Sequence, residues 1–277
     1  MKLLTYNMGG LLLENYTARL EALGRLVLSK KPEFIALQNM TIDGIKTLRT
    51  LPWATRYNTI LSPPASFENR KKSKCVIMSI YSTDQKLNEF TYRDPDTDRH
   101  LLWVDFILND KYKQPYKLTI GTTEIAIGTP TEVMEKYINQ ALFVSQSHED
   151  CFIMGDFAIC EPLNGVLNLN GNWKDAWEEI NETESASLGS GHSLDPPNNS
   201  LIKEKTLPSF RPDRFIYNTR RYKVVSIELV GMSPDEVLGT HISNHYGVMA
   251  SFALLDPPLP LVPPPDVPCS FEEQKQE

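Results

Sequence analysis

The stretch FIALQNM, residues 34–40, begins with four apolar residues, which are followed by two amides, Gln38 and Asn39, and then by Met40. A short apolar run between helix or turn signals is typical of a buried strand. KLLTYNM, residues 2–8, has the same character, and residues 15–29 carry apolar side chains at helical spacing until Pro32 stops the pattern. The chain is therefore predicted to open with a strand, a helix and a second strand.

Further strands are predicted along the rest of the chain, at 74–80, 101–108, 116–127, 151–157, 211–218, 224–231 and 246–254. Helices are predicted at Thr131–Ser145 and, less sharply bounded, near residues 173–180. Many of these strands are apolar without alternation, which indicates burial on both faces. The fold class that follows is α/β, with two packed sheets and helices on the outside.

Composition limits the domain count and the kinds of partner. A chain of 277 residues with 41% hydrophobic residues can bury one large core, so a single domain over residues 1–255 is predicted. The net charge of −7 disfavours a protein held to nucleic acid or membrane by bulk electrostatics. Four cysteines without CxxC spacing, and the lack of a secretory signal pattern, favour an intracellular protein of the cytoplasm or nucleus. No apolar run reaches the ~18 residues that a membrane span needs.

The composition changes after residue 255. DPPLPLVPPPDVP, residues 256–268, holds seven prolines in thirteen residues and cannot join a sheet. Residues 256–277 are therefore predicted to be a Pro-rich disordered tail. PLVP within it has the PxxP spacing that polyproline-binding domains recognise, but no Arg or Lys flanks it, so disorder without such a partner is the favoured interpretation.

Polar residues stand at several predicted strand ends, where side chains from one sheet edge can converge on a pocket. In chain order the motifs are T-Y-N (5–7), L-Q-N (37–39), T-E-I-A-I (123–127), G-D-F-A (155–158), R-P-D-R (211–214) and S-N-H-Y-G (243–247). They resemble the T-W-N, L-Q-E, T-H-L-E-S, G-D-x-N, R-x-D-R and S-D-H-x-G motifs of the exonuclease/endonuclease/phosphatase superfamily, which has the deoxyribonuclease I-like fold. The resemblance is strongest to its tyrosyl-DNA phosphodiesterase 2 branch, spans residues 1–254, and includes KDAWEEI and GHSLDPPNNS.

This resemblance implies a four-layered α/β sandwich with an Mg²⁺-dependent phosphodiesterase site at one edge of its two sheets. It also implies a nucleic-acid end or another phosphorylated ligand as the partner. Position by position, Asn7 matches the Asn on the phosphate and metal side, and Asp156 matches the Asp that orients the attacking water. His245 matches the catalytic His, and Asp213 matches the carboxylate that orients it.

Four other positions depart from the family pattern. Asn39 stands at the principal metal-binding Glu and Asn244 at the Asp of S-D-H, while Ala158 replaces the Asn of G-D-x-N and Glu124 replaces the His of T-H-L. One charge lost about 4 Å from a cation costs roughly 4 kcal/mol at an effective dielectric near 20. Two such losses lower metal affinity or turnover by several orders of magnitude. The sequence therefore predicts little or no hydrolysis and no bound cofactor.

Glu124 leaves an alternative open, because it brings a carboxylate to a strand that ends at the same pocket. With Asp156 it can form a rearranged Mg²⁺ or Mn²⁺ site. The favoured interpretation is that Glu124 pairs with a nearby cation or lies in water, since metal sites demand ligand geometry within a few tenths of an ångström.

Three more features have a functional and a structural interpretation. His241 and His245 have H-x-x-x-H spacing, but the Glu of a zinc motif is missing and a strand follows. The basic runs 68–74 and 220–223 are able to contact a nucleic-acid backbone, yet solvated hairpin ends fit the acidic net charge better. Leu194 stands where the resembled branch has a Trp, and leucine cannot stack on a base.

Two functions follow for the globular part. The favoured one is a non-catalytic member of the phosphodiesterase fold, a pseudoenzyme kept for binding or regulation, since four changes fall in one pocket. The alternative is a working metal-dependent phosphodiesterase or nuclease with a site remapped onto Glu124 and Asp156. A weaker third prediction is an interaction module that uses the Pro-rich tail, with the globular part as its scaffold.

Overall fold

The computed structural model describes residues 1–9, 14–61, 74–92, 100–125, 129–159, 169, 171–183, 189–256 and 258. Most of the basic run 68–74, the end of the predicted strand 116–127, and nearly all of the Pro-rich tail lie outside these residues.

The described residues form twelve strands and four α-helices. The strands are β1 (Lys2–Asn7), β2 (Phe34–Met40), β3 (Thr59–Leu61), β4 (Lys74–Ser79), β5 (Asn88–Thr91), β6 (His100–Asn109), β7 (Pro115–Glu124), β8 (Cys151–Asp156), β9 (Lys174–Asp175), β10 (Asp213–Asn218), β11 (Tyr222–Val230) and β12 (Gly247–Leu254). The helices are α1 (Tyr16–Lys30), α2 (Ile42–Leu48), α3 (Thr131–Ser145) and α4 (Ala176–Thr183), and a short 3-10 helix spans Ala54–Arg56.

The strands form two six-stranded mixed sheets. The first sheet has the order β11-β12-β1-β2-β4-β3 and the second has the order β5-β6-β7-β8-β10-β9. At the centre of each lies one parallel pair, β1 with β2 and β7 with β8, while the other recorded pairs are antiparallel. The carboxyl ends of β1 and β2 therefore share one sheet edge, and those of β7 and β8 share the matching edge of the other sheet.

Three apolar cores define four layers. Side chains such as Leu3, Phe34, Phe106, Phe152 and Phe252 pack between the two sheets. A second cluster packs α1 and α2 onto the outer face of the first sheet, and a third packs α3 onto the outer face of the second. This is the predicted four-layered sandwich, and burying both faces of each sheet explains why the strands are apolar without alternation.

All nine predicted strands and all three predicted helices are present, most within two residues of their predicted ends. Among the described residues, sequence analysis missed α2 and the strands β3, β5 and β9. The missed strands are short, of two to four residues, and β3, β5 and β9 lie at sheet edges. The predicted strand 116–127 ends earlier, at Glu124. None of the described helices is both long and apolar enough to cross a membrane.

Candidate functional site

Five strands bring predicted site residues to one edge of the sandwich. Asn7 ends β1, Glu124 ends β7 and Asp156 ends β8. Asp213 begins β10, which runs antiparallel to β8, and its register partner is Asp156. His245 lies two residues before β12, which runs antiparallel to β1. Because these neighbouring strands run antiparallel, the ends of β1 and β8 lie beside the starts of β12 and β10. The structure therefore brings together the four retained residues, Asn7, Asp156, Asp213 and His245.

Asp213 and His245 form a buried pair. The Nδ1 atom of His245 lies 2.8 Å from Oδ2 of Asp213, and both side chains are at most 3% exposed. Ser193 Oγ donates a hydrogen bond of 2.6 Å to the same oxygen, and the Asp213 N–H donates to Ser193 Oγ at 3.2 Å. The imidazole is therefore held by a carboxylate that is itself held by a serine, which is the arrangement predicted for an orienting acid.

Asn7 and Asp156 form the second pair of the site. Asn7 Nδ2 donates to Asp156 Oδ2 at 2.8 Å, and the Ala158 N–H donates to Asp156 Oδ1 at 2.8 Å. Gly155 lets β8 approach β7 closely, because a Cβ there would lie 2.1 Å from the carbonyl oxygen of Thr123. Both carboxylate oxygens of Asp156 are thus already bonded to N–H groups of the protein.

The buried charges shift two pKa values upward. Burial, followed by the negative charge of Asp213, raises the pKa of Asp156 from 3.8 to about 7. For His245, burial alone lowers the pKa, but the charge and hydrogen bond of Asp213 outweigh it and raise the pKa to about 9. Near neutral pH the fold therefore favours the protonated forms of both His245 and Asp156.

Asn39 lies where β2 leaves its regular pairing. Its φ is 56°, in the left-handed region, and the register with β4 shifts between Leu37 and Met40. The Asn39 backbone N–H donates a 2.9 Å hydrogen bond to Glu124 Oε2. Asn tolerates this backbone region better than most residues, so the residue at this position has a conformational reason to be Asn. The carboxylate of Glu124 thus accepts a hydrogen bond from the backbone of Asn39, the residue that matches the metal-binding Glu of the resembled motif.

Gln38, the other amide of FIALQNM, joins the two sheets. Its Nε2 donates to Thr5 Oγ1 at 2.9 Å and to Thr122 Oγ1 at 3.0 Å, and Thr122 belongs to the opposite sheet. The side chain is fully buried. Gln38 is therefore a structural bridge behind the site, a role that nothing in the sequence pattern revealed.

The other substituted positions also have defined surroundings. Ala158 is buried with φ at 53°, again in the left-handed region. Asn244 is half-buried, and its Oδ1 accepts a 3.2 Å hydrogen bond from Ser243 Oγ. Leu194 is buried and forms an isolated β-bridge with Phe210. A buried leucine offers no exposed face for a stacked base.

The remaining sequence candidates are structural. His241 Nδ1 lies 3.1 Å from the Ser200 N–H, which can donate to it, and Nε2 lies 3.0 Å from the Met232 carbonyl oxygen. Both ring nitrogens of His241 thus have protein partners, so this histidine has a structural role. The basic run 220–223 spans the turn between β10 and β11 at the far end of β10 from Asp213, and Arg221 pairs with Asp150 at 3.1 Å.

R-P-D-R divides its charged residues between two tasks. Asp213 belongs to the site, whereas Arg211 and Arg214 turn to Asp175, with nitrogen–oxygen distances of 2.9 and 3.0 Å. Arg211 also reaches Glu178 at 2.9 Å. Alternation along β10 separates Asp213 from Arg214, because successive side chains point to opposite faces, and Arg211 lies two residues before the strand begins. The arginines hold β9 and α4 against β10 and do not face the pocket.

Three of these residues lie close enough together to share a metal ion. Among the described residues, Asp156, Asp213 and His245 form the one group of three metal-binding side chains, with ligand atoms within 4.8 Å of one another. Mg²⁺ needs a near-octahedral set of oxygens. Asp213 Oδ2 and His245 Nδ1 are hydrogen-bonded to each other, and both Asp156 oxygens accept N–H groups, whereas Asp213 Oδ1 is buried without a hydrogen-bond partner. Glu124 lies outside this group.

Ser193 is the residue of the site that sequence analysis passed over. It lies in GHSLDPPNNS, a stretch noted only for its likeness to the resembled branch. Its carbonyl accepts the Tyr246 N–H at 2.7 Å, so the segment is tied both to Asp213 and to the residue after His245. The sequence around Ser193 has no helical or strand periodicity, so nothing local indicates that this serine contacts Asp213 and Tyr246.

The fold is a four-layered α/β sandwich of the deoxyribonuclease I-like type, as the similar solved structures show. TDP2 from D. rerio, solved with a single-strand DNA product, is similar with a TM-score of 0.74 and 18% identity, over 91% of this chain and 98% of that one. Truncated TDP2 from Caenorhabditis elegans gives 0.72 at 15% identity, over 91% and 96%.

A third similar structure, an endonuclease/exonuclease/phosphatase from Bacteroides vulgatus, gives a TM-score of 0.67 at 16% identity, over 92% of this chain and 98% of that one. No protein-family model and no curated protein matches the sequence. The predicted resemblance is therefore confirmed at the level of the fold.

Proposed function

We propose that this chain is a catalytically inactive member of the phosphodiesterase fold, in which the former active site is retained for binding or regulation. The observation that carries the proposal is the bond between the Asn39 N–H and Glu124 Oε2 at 2.9 Å. The position that matches the main metal ligand is occupied by Asn39, whose side chain is an uncharged amide. The carboxylate of Glu124 accepts a hydrogen bond from the backbone of the same residue. A cation at this position would therefore lack its principal carboxylate ligand.

The retained residues support a pocket that still holds its shape. Asn7 with Asp156, and Asp213 with His245, form close hydrogen-bonded pairs. A buried charge costs folding free energy unless it is paired or hydrogen-bonded. In each of these two pairs, the carboxylate accepts a hydrogen bond through its Oδ2 atom. We propose a nucleic-acid end or another phosphorylated molecule as the ligand class, with the protonated His245 as the cationic contact.

A hydrolysis assay tests the inactive assignment. The purified protein is incubated with a 5′-phosphotyrosyl oligonucleotide and with a generic phosphodiester, each with Mg²⁺ or Mn²⁺. We expect no turnover above that of Asp156→Ala, which removes the residue matched to the water-orienting acid. Turnover by the native chain that disappears in Asp156→Ala contradicts the proposal.

A restored variant tests whether the four substitutions are the cause. Asn39→Glu, Glu124→His, Ala158→Asn and Asn244→Asp are introduced together, because ligand sets act as a unit. We expect hydrolysis to appear, and to vanish again when Asp156→Ala is added. If the restored protein folds normally and binds Mg²⁺ but stays inactive, the four positions are not what silenced the chain.

The second candidate is an active metal-dependent phosphodiesterase with a remapped site. One observation favours it: Glu124 and Asp156 are register partners on neighbouring parallel strands, so their side chains leave the same face of the sheet. Calorimetry with Mg²⁺ and with Mn²⁺ distinguishes the candidates. The inactive assignment expects no binding at millimolar ion, whereas the remapped site expects binding that Glu124→Gln and Asp156→Asn each weaken at least tenfold.

We propose the cytoplasm or nucleus as the compartment. Cys75 and Cys151 are free thiols in the interior, and burial raises the pKa of Cys151 well above its ordinary range. Such thiols are inert and fit a reducing compartment.

A further inference from the structure

A groove opens at the end of the sandwich opposite the candidate site. It has a volume of about 440 Å³, and its lining includes Tyr81, Ile107, Leu108, Tyr116, Tyr222 and Leu254. Met1 and Glu33, which also line it, directly precede β1 and β2, whereas the site lies where those strands end. A strand of six residues spans about 20 Å, so this far-end groove is separate from the site.

The lining of the far-end groove combines apolar and aromatic side chains with the polar side chains of Glu33 and Asn109. Ile107 is 57% exposed and Leu254 is 41% exposed, although both are large aliphatic residues. The hydroxyl groups of Tyr116 and Tyr222 are hydrogen-bonded to each other, and the Arg221 guanidinium lies 5.0 Å from the centre of the Tyr116 ring. Aromatic-lined grooves of this kind are the surfaces on which proline-rich segments dock.

The chain reaches the rim of this groove as it leaves the fold. Leu254, the last residue of β12, is part of the lining, and the Leu255 N–H donates a 2.6 Å hydrogen bond to the Arg221 carbonyl. Asp256 then forms an ion pair with Lys111, in the turn between β6 and β7. Leu255 and Asp256, directly before the Pro-rich segment, are therefore held at the rim of the groove by two contacts.

We propose that residues 257–268, PPLPLVPPPDVP, dock in the far-end groove of their own chain as a polyproline II segment. Twelve residues in that conformation span about 37 Å, and the conformation needs no backbone hydrogen bonds. Attachment at Asp256 gives the segment an effective concentration on the order of millimolar at the groove. The absence of a flanking Arg or Lys makes it a poor ligand for a separate polyproline-binding domain, which favours the chain's own groove.

Methyl NMR of the full chain tests the docking. The native protein is compared with a variant in which residues 257–268 are replaced by a Gly-Ser segment of equal length. We expect the Ile107 and Leu254 methyl signals to differ between the two, while the methyls of Val225, 48% exposed on β11 and outside the lining, stay the same. Coinciding Ile107 signals overturn the proposal.

Two further measurements use the same proteins. A free peptide of residues 257–268, added to the Gly-Ser variant, is expected to move the Ile107 signals toward their native positions, and Ile107→Glu to weaken this at least tenfold while Val225→Glu does not. An isolated SH3 domain that binds the native chain as tightly as the free peptide overturns the proposal. So does a native Ile107 shift that disappears on dilution, since the tail then occupies a second copy.

Discussion

Ser193 shows how a single hydroxyl supports the site. It is fully buried and donates to Asp213 Oδ2, while Asp213 Oδ1 is buried without a hydrogen-bond partner. Replacing Ser193 by Ala removes one of the two side-chain donors to a buried carboxylate. We expect the free energy of unfolding to fall by about 1–3 kcal/mol in urea denaturation.

Ser226→Ala serves as the matched control for this change. Ser226 is exposed on β11, and the same substitution there is expected to change stability by less than about 0.5 kcal/mol. Equal effects at the two serines would mean that the Ser193 hydroxyl does not support Asp213.

Ala158 carries backbone strain at the residue scale. Its φ of 53° is uncommon for a residue with a Cβ, at a position where the resembled family has Asn. Ala158→Gly relieves that strain but adds freedom to the unfolded chain, so we expect a net gain of about 0.5–1 kcal/mol in unfolding free energy. Ala18→Gly, in α1, should instead cost about 1 kcal/mol. A loss at both positions would show that Ala158 is not strained.

At the scale of elements, one carboxylate fastens three of them together. Asp175, in β9, is buried between Arg211 and Arg214, and its Oδ1 also accepts the Trp177 N–H at 2.9 Å at the start of α4. Asp175→Ala leaves two buried guanidinium groups without their main partner. We expect a loss of about 3–5 kcal/mol in unfolding free energy.

An exposed ion pair provides the comparison for Asp175. Arg25 and Asp235 bind each other on the surface, with the Arg25 side chain 40% exposed. Arg25→Ala is expected to cost at most about 1 kcal/mol in the same denaturation experiment. A loss at Asp175 no larger than that at Arg25 would refute a fastening role for the buried cluster.

At the scale of the whole molecule, the site joins the two sheets, so its protonation acts on their junction. Asp156 and His245 both have pKa values raised by the fold, to about 7 and about 9. The folded protein therefore keeps protons that the unfolded chain releases near pH 3.8 and 6.5. Their contribution to stability is greatest at low pH and is lost as pH rises through 7 and then through 9.

This predicts a pH profile that a variant can isolate. Between about pH 5 and 7, the melting temperature of the native chain should fall relative to that of Asp156→Asn, in which the acid no longer titrates. His148, whose burial lowers its pKa, acts in the opposite direction but is present in both proteins and cancels. Parallel profiles for the two proteins would contradict the raised pKa of Asp156.

Much of this fold was predictable because its signals are local. Thr131–Ser145 has helical periodicity, and the strands of the sandwich centre are apolar runs between turn residues, so each could be assigned from its own residues. The short strands β3, β5 and β9 have no such signal, since a sheet edge accepts almost any residue that can reach its neighbour's hydrogen bonds. Whether these three segments form strands depends on their position at the edge of a sheet, which the local sequence does not encode.

The sequence by itself determined the long strands and helices, the motifs at the strand ends, and the uncharged amides at Asn39 and Asn244, because those are properties of residue type and local spacing. Only the tertiary structure decided that Glu124 bonds the Asn39 N–H, that Ser193 supports Asp213, and that Gln38 links the sheets. These contacts join residues 20 to 85 positions apart. Their partners are set by how two sheets pack, which no stretch of chain specifies alone.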